Sequence, residues 1–451
     1  MINILIGILV LSFVVFIHEL GHYIAARACG VEVIAFSIGI GPVLLKKKIG
    51  MTEYRISLLP LGGYCSMKGE KAFVQAVEEN LSEIPKEEGA FYSVSKLRRI
   101  IIAFAGPFAN YILAIVCFAI VSAIGLTYYT VSNKIAPVYY YSANDNSPSK
   151  KADLRMGDRI IQINDEKTEY FDDILKIISV NPNKELTFLV ERNGKIITKK
   201  ITPELNKKTG AGFVGFYAYV PLKVGKVQEN SKARKAGFKE GDIITAINDT
   251  EIYNDRDLQF YLDNNSDVTK IVFTVLRNEG ELKIPIKISE NTEGIGDLGL
   301  FLESIKVTVE GTNFLKSIQN GFTETNKTFV IVLRGLGLLF KGLDFKSAVS
   351  GPISISSMLG ETARVGFKES FLKGLSNVAN FVSIICISLF IMNLLPIPVL
   401  DGGIIFVTLI EIIARKQIPP KILHYVQLAG FFILLVIFVF VLWADIGHLI
   451  N

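Results

Sequence analysis

Histidine, cysteine and tryptophan are scarce in this chain, with 4, 4 and 1 copies among 451 residues. The cysteines, Cys29, Cys65, Cys117 and Cys386, are scattered and never form Cys-x-x-Cys. None falls in the polar middle of the sequence, so neither a disulfide framework nor a cysteine metal cluster is indicated. Gly-x-Ser-x-Gly and Gly-Asn-Ser-Gly-Gly are both absent, which removes the familiar serine-hydrolase signatures. Lys and Arg number 48 against 43 Asp and Glu, and no basic patch is interleaved with aromatics, so no nucleic-acid partner is expected.

Apolar residues are abundant instead. They make up 50% of the chain, and the mean hydropathy is +0.40, the composition of a polytopic membrane protein with a substantial aqueous part. Four apolar segments, at about 2–26, 100–127, 375–395 and 426–442, each approach the ~20 residues that cross a bilayer. The first has no basic start and is too long to be the apolar region of a cleavable signal peptide. Lys and Arg cluster after the first segment (Lys46, Lys47 and Lys48 among them) and again between the third and fourth, at Arg415, Lys416 and Lys421. The positive-inside rule therefore places both loops in the cytoplasm. Both termini and the long region from Tyr128 to Ser370 fall on the outer side.

The first apolar run contains His18-Glu19-Leu20-Gly21-His22. Two imidazoles and a carboxylate are costly in hydrocarbon, and such residues are rare there without a function. Positions i and i+4 share a helix face, so His18 and His22 can reach one metal ion while Glu19 stands beside them. That is the arrangement of two ligands and a general base in a zinc protease. His18 lies roughly 21 Å past Ile4 along a helix, inside a core of ~30 Å and toward its cytoplasmic side.

A catalytic zinc usually takes three protein ligands. No histidine follows within Tyr23–Gly30. The other two, His424 after the Pro419-Pro420 turn of a cytoplasmic loop and His448 near the end, are poorly placed. Asp401 is the better candidate. It sits in Asn393-Leu394-Leu395-Pro396-Ile397-Pro398-Val399-Leu400-Asp401-Gly402-Gly403, directly after the third apolar segment. Pro and Gly breaks around a carboxylate imply irregular backbone at membrane depth, which is tolerated where it lines a wet cavity. The alternative for Asp401 is a plain helix cap.

The outer region carries a duplication. Lys151-Ala152-Asp153-Leu154-Arg155-Met156-Gly157-Asp158 and the strand after it match Lys235-Ala236-Gly237-Phe238-Lys239-Glu240-Gly241-Asp242 and its strand, 84 residues on. That period suits two tandem small domains better than a solenoid. Each copy reads as a Gly-Asp turn, an alternating strand, a helix starting near Asp172 or Asp255, and later strands (Leu186–Arg192; Lys270–Asn278), an α+β unit. The copies resemble PDZ domains, with Asp153 departing where Gly is usual. PDZ domains bind a peptide as an added strand. The alternative is a pair of spacers holding bulk away from the membrane. Farther on, Thr312–Phe345 mixes apolar and polar residues as a helix would on the outer membrane face, or as a scaffold helix on the repeats.

Taken together, HELGH in the first span, NLLPIPVLDGG after the third and an inserted PDZ-like pair resemble the site-2 protease family of intramembrane zinc metalloproteases, above all its bacterial sigma-E regulator branch. Ser37–Pro42, Pro60–Tyr64, Phe104–Asn110 and Ser350–Ile355 add to the likeness, which covers almost the whole chain. The resemblance implies one zinc per chain held by His18, His22 and Asp401, with Glu19 activating water. It also implies that Asn393 holds substrate, and that the segment around Ser57–Lys68 is a membrane-associated β-hairpin offering an edge to an unwound substrate. Gly62 and Gly63 suit a tight turn there, the alternative being a surface turn without substrate contact. Ser388 stands where many relatives have a second Asn. The expected fold is a polytopic α-helical membrane protein with four transmembrane helices. Its parts are a membrane core over 1–127 with the hairpin at about 33–70, PDZ-like domains at 128–220 and 221–304, an amphipathic connection at 305–370, and a second core part at 371–451. The implied location is the bacterial inner membrane, and the implied partners are single-pass membrane proteins such as anti-sigma factors and signal-peptide remnants. A metal transporter is the main rival; it should carry ion ligands in two repeated halves, and this repeat carries none.

Overall fold

In a computed structural model of the chain the described residues are 2–142, 145–206, 210–265, 270–278, 280–287, 294–339 and 351–450. They form two compact units. One is built from residues 2–126, 309–337 and 351–450, the other from those described between 127 and 308. Ser350 and residues 340–345, named above, lie outside the described residues.

The first unit comprises α1 (Ile2–Ala28), β1 (Val33–Ile49), β2 (Thr52–Met67), α2 (Glu70–Glu78), α3 (Lys96–Ile124), α4 (Phe314–Leu339), α5 (Pro352–Glu369), α6 (Phe371–Asn393), α7 (Asp401–Ala414) and α8 (Pro420–Ile450). Among the described residues, α1, α3, α6 and α8 are the four helices long and apolar enough to cross a membrane. The protein is a membrane protein with sheet-containing regions between its spans. His424 falls inside α8, not in a loop: the Pro419-Pro420 pair that suggested a turn stands at the helix start, where Pro is well tolerated. The core of the bundle gathers Val14 of α1, Ala114 and Phe118 of α3, Leu359 of α5 and Ala379, Cys386 and Ile391 of α6. A buried ion pair joins α3 to α7, the Arg99 guanidinium donating to Glu411 at 2.6 Å. At the other end of the bundle, Asp445 of α8 accepts from the backbone N–H of Gly351, Ile353 and Ser354 and so caps α5.

The hairpin folds differently from the expectation. Its tight turn is Gly50-Met51, between two long strands. Residues Ala35–Ile38 of β1 face both Glu53–Ile56 and Gly63–Ser66 of β2, while Leu45–Ile49 pair with Thr52–Ile56. The sheet therefore runs, from edge to edge, 45–49, 52–56, 35–38, 63–66. Gly62, with φ 85°, sits at the bend that carries β2 from one side of Ala35–Ile38 to the other. Gly62-Gly63 is a crossing point and not the hairpin turn, because β2 must reverse without a second two-residue loop.

α4 is also a correction. It packs along α3: Asn320 donates to Ser122 at 2.8 Å, Tyr111 donates to Asn326 at 3.0 Å, and Phe329 meets Phe390 of α6 at 6.0 Å between ring centres. Two of its polar residues, Asn320 and Asn326, bond to a neighbouring span, so the helix runs beside the bundle and does not lie flat on a surface.

The second unit contains the repeat. Strands Arg159–Ile163, Leu186–Arg192 and Lys195–Ile201 form a sheet with the short strand Glu166–Lys167, beside the helix Phe171–Ser179. Ile243–Ile247, Lys270–Arg277 and Gly280–Lys287, with Thr250–Glu251 and the helix Asp255–Asp263, repeat that order. Each copy buries its own apolar core, around Phe188 in the first and Phe273 in the second. The duplicated Gly-Asp now has a physical reason. Asp158 accepts two bonds from Arg192, at 2.8 and 2.7 Å, and Asp242 two from Arg277, both 2.7 Å. Both carboxylates are buried, so this bidentate pairing is what makes them tolerable in the core.

Candidate active site

The decisive question is whether an acid beyond the third span meets two imidazoles of the first. It does. His18 Nε2 is 3.2 Å from one Asp401 oxygen, and His22 Nε2 is 3.2 Å from the other. The two Nε2 atoms are themselves 3.2 Å apart. Among the described residues this is the one group of three His, Cys, Asp or Glu side chains close enough to share an ion. Both histidines are buried, and Asp401 is nearly so.

The donor set fits zinc. Two ligands roughly 2.05 Å from a tetrahedral ion lie roughly 3.3 Å apart, close to the spacing found here. His18 Nε2, His22 Nε2 and the two Asp401 oxygens converge as the ligands of one shared ion must. Each histidine is also held from behind. His22 Nδ1 lies 2.8 Å from the Ile102 carbonyl, to which it can only donate, leaving Nε2 bare. His18 Nδ1 lies 3.3 Å from the side-chain amide of Asn110, which is fully buried.

Helix α3 makes this possible. A Cβ placed on Gly106 would sit 2.1 Å from His22 Nε2, so any larger residue there would displace the ring. Asp401 is the first residue of α7, and Val399 two residues earlier has φ 91°. A β-branched residue in that region is strained, and such strain is kept where the surroundings fix a needed geometry.

A cavity of about 640 Å³ opens onto the triad. Glu19, Asn393, Tyr64, Cys65 and Met67 line it, together with Tyr92 and Gln427. Gly63 lies against Glu19, a Cβ there meeting the Glu19 side chain at 3.4 Å. The Gly63–Ser66 segment thus forms a sheet edge beside the cavity, lined there by Tyr64 and Cys65 and by neither Gly62 nor Gly63. Ser388 donates to the Ile384 carbonyl of its own helix at 3.0 Å. Sequence reasoning gave no role to Asn110, Gly106 or Gln427. A polar residue inside an apolar span was the available signal for Asn110 and Gln427.

Buried metal-type donors inside a helical bundle, a carboxylate beside them and a cavity in front define a class, the membrane-embedded metallohydrolases. Comparison with known proteins narrows it. Residues 6–437 match Peptidase family M50. A protein of Treponema pallidum named "Putative zinc metalloprotease" is 44% identical over 451 residues, covering all of both chains. One of the same name from Borreliella burgdorferi is 33% identical and covers 99% of each chain. The "Regulator of sigma E protease" of Haemophilus influenzae is 29% identical over 97% of each. The chain belongs to peptidase family M50, the site-2 protease family, and is a zinc metalloprotease.

Proposed function

We propose that the chain hydrolyses a peptide bond within or near the transmembrane segment of single-pass membrane proteins, with His18, His22 and Asp401 as the zinc ligands and Glu19 as general base. The observation that carries this is the mutual 3.2 Å spacing of two buried imidazoles and a half-buried carboxylate from two separate helices. Zinc in such a site polarises a carbonyl and lowers the pKa of water to about 7. Glu19 takes the proton of the attacking water and returns it to the leaving nitrogen. Asn110, turned with its carbonyl oxygen toward His18, accepts from Nδ1–H and keeps Nε2 free for the ion.

A helical substrate hides its carbonyls in i→i−4 bonds, so cleavage needs local unwinding and new backbone partners. Gly63–Met67 supplies them as an edge strand, with Gly62 setting its bend, and Asn393, which lines the same cavity, reaches the freed backbone. The name of the Haemophilus relative supports anti-sigma factors, already trimmed outside, as one substrate class; remnant signal peptides are a second. The two repeats act as PDZ-like modules that bind the trimmed end or exclude bulky substrates. The basic loops favour the bacterial inner membrane, with both termini and the repeats on the outer side and the catalytic centre toward the cytoplasm.

The test is co-expression of the full chain, or its Glu19→Gln variant, with a panel of tagged single-span proteins. Cleavage of some by the parent and of none by the variant is expected. Equal cleavage by both defeats the role of Glu19. Unchanged zinc content in Asp401→Ala removes Asp401 from the ligand set.

A further inference from the structure

Glu19 of α1 lies directly against the sheet edge. Glu19 and Cys65 line the same cavity, and a Cβ placed on Gly63 would come within 3.4 Å of Glu19 Cγ. Gly63, Tyr64, Cys65 and Ser66 pair with Ile38, Ser37, Phe36 and Ala35 on one side. Among the described residues no strand pairs with their other side.

An antiparallel edge strand turns its backbone groups alternately toward its partner and away from it. The Cys65 backbone N–H faces the Glu19 carboxylate, so it is one of those turned away from β1. By the two-residue alternation the Gly63 N–H is turned the same way. The open edge thus offers two donors in unlike settings. A hydrogen bond to an ionised group is roughly twice as strong as one to a neutral carbonyl. The Cys65 N–H is therefore better matched to Glu19 than to a substrate backbone.

We infer that the Cys65 backbone N–H is a positioning group for Glu19, holding one carboxylate oxygen while the other takes the proton of the attacking water. The Gly63 N–H is left to the substrate strand. A carboxylate has lone pairs enough for both partners at once. Contacts of this kind tighten when substrate binds, and an added strand stiffens the edge that carries the donor. The strand that receives the substrate thereby also places the base, so a chain that fails to pair meets a misplaced Glu19. The inference rests on the reading of Glu19 as general base and of this edge as the substrate's partner.

Selective labelling reads the contact directly. The chain has 4 cysteines, so nitrogen-15 cysteine gives one amide signal for each, and Cys65→Ala assigns the relevant one. In the zinc-loaded full chain the Cys65 amide proton should lie downfield, as a bond to a carboxylate requires, and move upfield in Glu19→Ala. A signal that stays put overturns the inference. A kinetic arm deletes the N–H alone, by installing an α-hydroxy acid that turns the amide into an ester. In the Cys65→Ala background, the α-hydroxy analogue of alanine at position 65 should lower kcat on a cleaved tagged substrate about 10-fold or more, with KM and zinc content within twofold. Glycolic acid at position 63 should act on KM instead. A raised KM with unchanged kcat at position 65 gives that N–H to the substrate and overturns the inference. Equal cleavage by Glu19→Gln marks a different failure, that of the general-base reading itself.

Discussion

Asn110 offers the sharpest test of the metal centre, because its two amide orientations correspond to two different histidines. With Nδ2 donating to His18 Nδ1, the imidazole proton sits on Nε2, and that atom has no lone pair for an ion. With Oδ1 accepting, the proton sits on Nδ1 and Nε2 is free. As the amide stands, Nδ2 is 3.3 Å from Nδ1 and Oδ1 has no hydrogen-bond partner. The proposed zinc ligation through Nε2 requires the turned amide. Asn110→Leu removes the acceptor at a fully buried position, where water cannot replace it. An unpaired buried donor costs about 1–3 kcal/mol. Loss of such an outer partner weakens metal binding about 10–100-fold, or about 1.4–2.7 kcal/mol. The two figures agree. Zinc affinity of the purified full chain, measured by competition with a chelator, should fall by that factor in Asn110→Leu and recover in Asn110→Asp, whose carboxylate also accepts from Nδ1–H. Zinc affinity in Asn110→Leu within twofold of the parent would refute the reasoning, whatever happens to proteolysis.

Other variants probe separate links. Glu19→Gln should bind zinc as the parent does yet lose about 10²–10⁴-fold or more in cleavage of a tagged substrate. Gly106→Ala should lose zinc in a metal analysis, since its Cβ would lie 2.1 Å from His22 Nε2; normal zinc content would mean that the ring can move aside. Arg99→Leu leaves the Glu411 carboxylate buried and unpaired, and should destabilise by about 3–5 kcal/mol in thermal unfolding in detergent, with much of the loss restored by adding Glu411→Leu. In the second repeat, burial pushes the Asp242 carboxyl up, but Arg277 and the Lys239 backbone N–H outweigh it and hold it below its ordinary value. Its stabilising contribution is thus complete above the unfolded value near pH 4 and lost as pH falls through the lower folded one. Proteolytic nicking of the second repeat should rise over that range, and Arg277→Met should show it already at neutral pH.

The proposed metal centre was half legible in the sequence. His18 and His22 could be paired because i and i+4 on one helix fix their own geometry. Asp401 could be proposed only from its surroundings, since nothing local relates it to a helix almost four hundred residues earlier. Asn110 was visible as a polar residue in an apolar span, but its partner depends on how α1 crosses α3, and Gly106 sets that approach by leaving room for His22. The repeat was readable for a different reason. Each Gly-Asp turn feeds a strand whose alternation is local, and the arginine that satisfies the buried Asp comes from the neighbouring strand of the same small sheet.

Where the reading failed, periodicity had no say. Gly62-Gly63 looked like a hairpin turn because adjacent glycines usually mark one, yet Gly50-Met51 closes the hairpin and Gly62 bends a strand around its own neighbour. α4 looked like a surface helix because its apolar stripe is broken by Asn320, Thr325 and Asn326. Two of those breaks, Asn320 and Asn326, bond to α3, and in an apolar setting such polar contacts hold helices together. The same rule explains the catalytic face. Polar groups in a span are tolerated when another helix or an ion completes them, so the residues that spoil an apolar run most are the ones whose partners lie farthest away in sequence.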